Sequence, residues 1–315
     1  MRDAGPGTTG KLVSGDLGHP RGASAPVRRR DTTKGRKSRA PRCSSATCDT
    51  ALPVPPRHFE RYVAIGDSST EGLDDPDGAG GYRGWTNRLA ERIAAYQGTL
   101  DYANLGVRGR CARQIKDEQL GPALALRPDL ATVVAGMNDL LRGNFDARAI
   151  ASDIGEMQRA FVERGCTVLT FTIPDISRRL AVPPLDRMLS RRTLALDDEI
   201  RRVSAASGAV LIDLAAYDLA SDPRMWSRDR LHANADGHER IAHALAQALG
   251  LPGTDDSWFD PPPASPPPGL RARLAENLSW GRDYFVPWLW RRVRGRSAGD
   301  DCLPKRPALA PITLP

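Results

Sequence analysis

Three side chains in two short segments could together carry out nucleophilic chemistry on a carbonyl group. Ser68 lies in the segment GDSS, directly after the apolar run Tyr62–Ile65. Asp229 and His232 are three residues apart in the segment DRLH. A serine hydroxyl is a weak nucleophile at neutral pH, so it needs a histidine as base and a carboxylate that orients this histidine. These residue types therefore predict acyl transfer, provided that the fold brings the two segments together.

The choice of His232 as the base depends on where the other histidines lie. The chain has five histidines. His19 lies in a basic N-terminal segment, and His58 precedes the first apolar run. His238 and His243 fall within the last amphipathic segment, where we expect a surface position or a core hydrogen bond. His232 precedes that segment, in a loop where a carboxylate three residues upstream can face one ring nitrogen while the other faces a reacting group.

Acyl transfer also needs hydrogen-bond donors at the point where the carbonyl oxygen becomes negative. The segment NLGVRGR, which begins at Asn104, offers the backbone N–H groups of Gly106 and Gly109. The segment AGMNDLL, which begins at Ala135, offers the side-chain amide of Asn138. Glycine turns and Asn-Asp pairs also follow strands for purely structural reasons. Their order and their placement at predicted strand ends are what favour a role in binding an oxyanion.

Apolar runs that alternate with helical segments must position these residues. The runs with strand character are Tyr62–Ile65, Tyr102–Leu105, Leu130–Ala135, Val168–Ile173 and Ala209–Leu214. Helical spacing of apolar residues predicts helices at about Trp85–Tyr96, Ile150–Val162, Leu185–Ala206 and Ala235–Leu249. This alternation predicts a parallel sheet with helices on both faces. Ligands bind such sheets beyond the carboxyl ends of the strands, which is where Ser68 lies.

Four sequence blocks resemble those of the SGNH hydrolases, also called GDSL esterases and lipases, and occur in the same order. The segment GDSS matches the first block and places the nucleophile at Ser68. The glycine of the second block matches Gly109. The segments GMND and DRLH match the third and fourth blocks and place the remaining site residues at Asn138, Asp229 and His232.

The resemblance covers about residues 60–250 and implies a flavodoxin-like three-layer α/β/α sandwich around a five-stranded parallel sheet. Ser69 stands where the first block of the family has leucine, at a position that tolerates change. The implied activity is the cleavage of carboxylic esters in small molecules. Two alternatives stay open, namely an acyltransferase that uses the same site and a non-catalytic binding module with the same fold.

The same resemblance implies the roles of the individual residues. Ser68, His232 and Asp229 would form a catalytic triad that works through an acyl-enzyme. The N–H groups of Ser68 and Gly109 and the amide of Asn138 would form the oxyanion hole. No metal or organic cofactor is implied.

The basic residues are concentrated at the two ends of the chain. The 315 residues include 45 Lys/Arg and 38 Asp/Glu. Residues 1–50 hold eleven Lys/Arg and four Asp/Glu. Residues 270–306 hold nine Lys/Arg and four Asp/Glu. Residues 51–269 are therefore mildly acidic. We expect a solvated N-terminal arm rather than one that binds nucleic acid.

Composition predicts three regions. Residues 1–57 form a basic arm that buries too little apolar surface to order itself. Residues 58–252 form the hydrolase domain, and residues 253–315 form a proline-rich linker with a basic aromatic tail. No secretory signal or apolar membrane span is recognisable, so we expect a cytoplasmic protein. The five scattered cysteines predict free thiols.

The C-terminal tail has an unusual composition for a linker. The segment SWGRDYFVPWLWRRVRGR, which begins at Ser279, holds three of the six tryptophans and five arginines. We expect it to fold back onto the domain as a strap. Weak contact with a membrane surface is an alternative, although Pro287 interrupts the helical pattern. A protein partner is a third interpretation.

Overall fold

The computed structural model describes residues 57–175, 177, 185–264, 266, 269–294 and 297–314. Apart from residue 57, the predicted basic arm of residues 1–57 lies outside the described residues. None of the helices within the described ranges is long and apolar enough to cross a membrane.

A central sheet carries the site, and within the described residues it has six strands. Its strands are β1 Arg61–Gly66, β2 Asp101–Asn104, β3 Leu130–Val134, β4 Thr167–Phe171, β5 Val210–Ile212 and β6 Arg306–Pro311. The order across the sheet is β5-β4-β3-β1-β2-β6. The first five strands are mutually parallel, with β1 at the centre between β2 and β3. This order agrees with the predicted flavodoxin-like arrangement.

Helices cover both faces of the sheet. The helices are α1 Ser68–Glu71, α2 Gly84–Gln97, α3 Ala112–Ile115, α4 Gly121–Ala125, α5 Met137–Leu140, α6 Ala147–Val162, α7 Leu185–Ser207, α8 Ala235–Ala248, α9 Leu270–Trp280 and α10 Val286–Val293. Wide π-type turns, Lys116–Leu120 and Gly281–Phe285, join α3 to α4 and α9 to α10. Short 3-10 turns span Leu214–Ala216, Asp218–Ser221, Pro223–Met225 and Asp256–Phe259.

The alternation of side chains along β1 explains the three layers. Tyr62 and Ala64 belong to an apolar cluster formed with α2 and α8. Val63 and Ile65 belong to a second cluster, formed with α6 and α7 on the opposite face. Successive side chains of a strand point to opposite faces, so an uninterrupted apolar strand requires a helical layer on each side. The predicted α/β/α sandwich is thereby confirmed.

The sheet holds the five predicted parallel strands and one strand more, because β6 adds an antiparallel edge next to β2. The sequence of β6 is RPALAP, and it contains two prolines, which sheets accept mainly on edge strands. At a sheet edge a proline does not disrupt the ladder, because its missing N–H group can face away from the neighbouring strand. Arg306 anchors this edge by donating from Nε to the carbonyl oxygen of Tyr102 at 2.8 Å.

Gly66 ends β1 at a point where there is no room for a side chain. Its N–H group donates to Gln119 Oε1, and its carbonyl accepts from Gln119 Nε2, both at 2.9 Å. A β-carbon at Gly66 would lie 2.1 Å from Thr70 Oγ1 and 2.5 Å from the carbonyl oxygen of Val134. The exit from the central strand, and therefore the position of Ser68, depends on this close approach.

We expect Gly66→Ala to lower the free energy of unfolding by about 1–3 kcal/mol, because the backbone of β3 must move to admit the methyl group. Urea denaturation followed by tryptophan fluorescence measures this change. Gly143→Ala is the matched control, since among the described residues a β-carbon at Gly143 would have no heavy atom within 4 Å beyond its two chain neighbours. Equal stability of the two variants would contradict the steric role of Gly66.

Candidate active site

Ser68 lies at the carboxyl end of the central strand. It is the first residue of α1, and Asp67 caps that helix by accepting from the N–H group of Ser69 at 3.0 Å. The Ser68 side chain is mostly buried and faces a cavity of about 640 Å³. The short turn from β1 into α1 therefore directs a hydroxyl over the rim of the sheet.

His232 and Asp229 reach Ser68 from a loop that precedes α8. His232 Nε2 lies 2.8 Å from Ser68 Oγ. His232 Nδ1 lies 2.5 Å from Asp229 Oδ2. With the Nδ1 proton donated to Asp229, Nε2 is free to accept the proton of the Ser68 hydroxyl. The structure therefore joins the three predicted residues in one chain of hydrogen bonds across 164 positions of sequence.

The backbone of this loop also holds the carboxylate. Asp229 Oδ1 accepts from the N–H groups of Leu231 at 2.9 Å and His232 at 3.0 Å. Arg230 adopts a left-handed conformation with φ of 65°, which makes this tight turn. The Asp-x-x-His spacing thus lets a single carboxylate bond both the backbone and the ring of the same histidine.

The charges of the two side chains support each other. Burial alone would raise the pKa of Asp229, but the hydrogen bond from His232 and its charge hold that pKa well below the usual range. Burial likewise opposes protonation of His232, yet the bond to Asp229 raises the pKa of His232 above 6.5. The site therefore favours an ionised carboxylate beside an imidazole that readily accepts a proton.

Asn138 and Gly109 line the same cavity as Ser68. Asn138 is the second residue of α5, and its Nδ2 donates to Asp67 Oδ2 and to the carbonyl oxygen of Arg110, each at 3.1 Å. Gly109 has φ of 76°, a conformation that suits glycine. Both predicted donors therefore lie near the nucleophile, with the Asn138 amide held by two long hydrogen bonds.

Gly106, the alternative to Gly109, has a different role. Its N–H group donates to Asn104 Oδ1 at 2.9 Å and is therefore occupied. In the part of the chain that the structure describes, the N–H groups of Ser68 and Gly109 donate to no protein acceptor. These two groups are the ones available to a ligand in the cavity.

The remaining described histidines of the C-terminal half lie apart from this chemistry. His238 is buried, accepts from the N–H group of Trp85 at Nδ1, and donates from Nε2 to the carbonyl oxygen of Leu73. Burial lowers the pKa of His238 to about 4, so it stays neutral. His243 accepts from the N–H group of Asp255 at 3.2 Å.

Ser227 and Asp74 are site residues that were not predicted from the sequence. The Ser227 hydroxyl lies 2.6 Å from Asp229 Oδ1 and 2.5 Å from Asp74 Oδ2. Ser227 stands two residues before Asp229, and this proximity is the signal that could have indicated it. Asp74 comes from a distant loop in which it adopts φ of 66°, and no local signal in the sequence indicates that conformation.

Asp74, Asp229 and His232 also form a group whose spacing could suit a metal ion. One ligand atom from each lies within 4.8 Å of the others. His232 Nδ1 can bind a metal only by losing the proton that it shares with Asp229. The hydrogen bonds described above therefore account for the same atoms without a metal ion.

Aromatic residues from the C-terminal segment complete the cavity. Trp280, Phe285 and Trp288 line it together with residues from the ends of β4 and α5. Trp280 is 7% exposed, and its Nε1 donates to the carbonyl oxygen of Asp229 at 2.9 Å. The predicted strap thus contacts the loop that carries Asp229 and His232.

Comparisons with known proteins give a consistent result. Residues 64–240 match the family model described as the GDSL-like Lipase/Acylhydrolase family. A GDSL lipase of Mycobacterium tuberculosis, Rv0518, is 26% identical over 196 residues, which cover 60% of this chain and 81% of that protein.

Solved structures show the same fold. The lipase/acylhydrolase from Enterococcus faecalis is similar with a TM-score of 0.50 and 22% identity, over 60% of this chain and 95% of that one. Axe2, an acetylxylan esterase from Geobacillus stearothermophilus, is similar with a TM-score of 0.50 and 16% identity. The match covers 62% of this chain and 97% of that one.

Proposed function

This chain belongs to the GDSL-like lipase/acylhydrolase family of ester-cleaving hydrolases, and on that premise we propose that it cleaves carboxylic esters through an acyl-enzyme on Ser68. The observation that carries the proposal is the continuous chain of hydrogen bonds from Asp229 through His232 to Ser68. This chain ends at a cavity large enough for a small-molecule ester.

In the first half of the reaction Ser68 Oγ attacks the ester carbonyl carbon. His232 Nε2 takes the hydroxyl proton as the new carbon–oxygen bond forms. The same nitrogen then gives that proton to the leaving alkoxide as the original ester bond breaks. The products of this half are a free alcohol and an acyl group on Ser68.

In the second half water takes the place of the alcohol. His232 removes a proton from water, and the resulting oxygen nucleophile attacks the acyl-enzyme. Return of the proton to Ser68 Oγ releases the carboxylic acid. Asp229 holds the ring in the correct tautomer and stabilises the imidazolium that forms in both halves.

Negative charge on the carbonyl oxygen is stabilised by three donors. The N–H groups of Ser68 and Gly109 are available in the cavity, and Asn138 supplies an amide. The Asn138 amide exchanges one of its two 3.1 Å acceptors for the oxyanion when substrate binds. Each such donor contributes roughly 3 kcal/mol to stabilisation of the transition state.

Covalent trapping tests the acyl-enzyme proposal directly. We expect diisopropyl fluorophosphate to modify one residue, Ser68, which fragmentation of the peptide from residues 62–83 identifies by mass spectrometry. Ser69→Ala is the matched control and should still be labelled, since Ser69 Oγ accepts from Trp85 Nε1 at 3.2 Å instead of facing His232. The proposal would be contradicted if the urea-unfolded protein were labelled as fast as the folded protein. Labelling of a residue other than Ser68 would also contradict it.

The pH dependence of hydrolysis should reflect His232. The base must be neutral to accept a proton, so kcat/KM rises as pH increases through the pKa of His232. Because Asp229 raises that pKa, we expect the midpoint of the rise above 6.5. Burial raises the pKa of Asp67 to about 6, so an Asp67→Asn variant distinguishes the two groups. A midpoint at or below 6.5, or its loss in Asp67→Asn, would contradict the assignment to His232.

A further inference from the structure

The C-terminal cap, which we define as residues 270–294, is fixed to the loop that carries the candidate base. Besides the bond from Trp280 to the carbonyl oxygen of Asp229, the guanidinium carbon of Arg230 lies 4.9 Å from the Trp280 ring centroid. Arg230 also donates from Nη2 to Asn277 Oδ1 at 2.8 Å. One side of the cap is therefore anchored beside the site.

The inner side of the cap forms part of the cavity wall. Phe285 lies between Trp280 and Trp288, with ring centroids 5.5 Å and 5.8 Å away. The π-type turn Gly281–Phe285 precedes Pro287, and the residues at its two ends, Trp280 and Val286, keep right-handed helical dihedrals. The cap is thus one helical run in which a π-type turn separates α9 from α10, and each of these two segments has its own outer stripe.

The outer side of the cap is apolar and exposed to water. Leucines four residues apart form a stripe on α9, and a second apolar stripe lies on α10. Their exposed fractions are 72% for Leu270, 53% for Leu274, 75% for Leu278, 58% for Val286, 43% for Leu289 and 57% for Trp290. These six, together with Tyr284, which also lines the cavity, are half of the fourteen large exposed apolar residues in the described part of the chain. Such a concentration marks an interaction surface.

The charge of the cap indicates the partner. Residues 270–294 hold six arginines and two acidic residues. Both acidic residues lie close to arginines. Glu276 Oε1 lies 3.7 Å from Arg230 Nη2, and Asp283 Oδ1 lies 2.6 Å from Arg282 Nε. Apolar stripes flanked by arginines suit a surface that combines acyl chains with negative headgroups. A cap-to-cap contact with a second copy of this chain would place like charges against each other.

We propose that the outer face of the C-terminal cap docks onto an anionic lipid surface. Since the inner face of the same cap lines the cavity, docking brings the cavity next to esters held in that surface. That last consequence rests on the proposed function, whereas the docking itself does not.

Vesicle sedimentation of the full chain tests the docking. We expect the protein to pellet with vesicles of phosphatidylcholine and phosphatidylglycerol, to pellet weakly with phosphatidylcholine alone, and to be released by added salt. A variant with Leu274→Glu, Leu278→Glu and Trp290→Glu should bind the mixed vesicles at least about tenfold more weakly. Leu194→Glu is the matched control, because Leu194 is 61% exposed on α7, outside the cap.

Hydrolysis of soluble p-nitrophenyl acetate shows whether the triple variant is folded, and we expect its rate to equal that of the wild type. Equal vesicle binding by the triple variant and the wild type, or no binding by either, would overturn the proposal. A concentration-dependent dimer that the triple variant abolishes would assign the surface to a second copy instead. Vesicle binding by a protein that hydrolyses no ester would keep the docking proposal and contradict the proposed function.

Discussion

Ser68→Ala will lower kcat for p-nitrophenyl acetate by at least about 10⁴-fold relative to the wild type. The alanine keeps the backbone N–H group at residue 68 but removes the oxygen that lies 2.8 Å from His232 Nε2. Without that oxygen no acyl-enzyme can form. Only the binding of substrate and the stabilisation of charge remain, and these give a small residual rate in serine hydrolases.

The control for this prediction is Ser69→Ala, which removes the neighbouring hydroxyl. Ser69 Oγ contacts Trp85 rather than the base, so we expect activity close to that of the wild type. Steady-state kinetics on esters from acetate to palmitate compare the three proteins, and circular dichroism shows that each is folded. Retention of wild-type activity by folded Ser68→Ala would show that the nucleophile is another residue.

Asp229→Asn will lower kcat by about 10⁴-fold, a loss typical of such a change in serine hydrolases with this constellation. An asparagine amide that faces His232 Nδ1 donates a hydrogen bond instead of accepting one. It therefore favours the tautomer with the proton on Nε2, which cannot take the proton of Ser68. The loss of the carboxylate also removes the charge that stabilises the imidazolium.

The pH profile distinguishes this role from a purely structural one. Asp229 raises the pKa of His232, so the residual activity of Asp229→Asn should have its midpoint at lower pH than the wild type. Asp74→Asn is the matched control, because Asp74 is exposed and lies 3.9 Å from His232 Nδ1. We expect it to change kcat less than about tenfold. Equal losses in the two variants, or an unshifted midpoint, would contradict the proposed role of Asp229.

Local patterns were sufficient to predict the sandwich and its order of elements. The run Tyr62–Ile65 is apolar at every position, which requires a covered strand, and β1 is the central strand of the sheet. Strands and helices alternate along the chain, and their parallel pairing follows from that alternation. The family assignment rests on four short blocks that can likewise be recognised locally, and the family match confirms it.

The pairing of β6 could not be predicted in the same way. Its partner β2 lies about two hundred residues earlier, and Arg306 contacts Tyr102 across that distance. Nothing in the sequence RPALAP specifies which edge it joins. A strand with two prolines is acceptable only where the sheet leaves an edge open, and that condition belongs to the assembled sheet.

The sequence was enough to predict the sandwich, the family and the candidate catalytic residues. These predictions use the periodic spacing of apolar residues and the short sequence blocks, and both are properties of residues that are close together in the chain. Three further features became visible only in the folded chain. The N–H group of Gly106 is occupied by Asn104, Asp74 approaches Ser227, and the C-terminal cap lines the cavity. These outcomes depend on loop conformations and on contacts between residues far apart in the chain. Such contacts form only when the folded core fixes both partners, so no local pattern in the sequence encodes them.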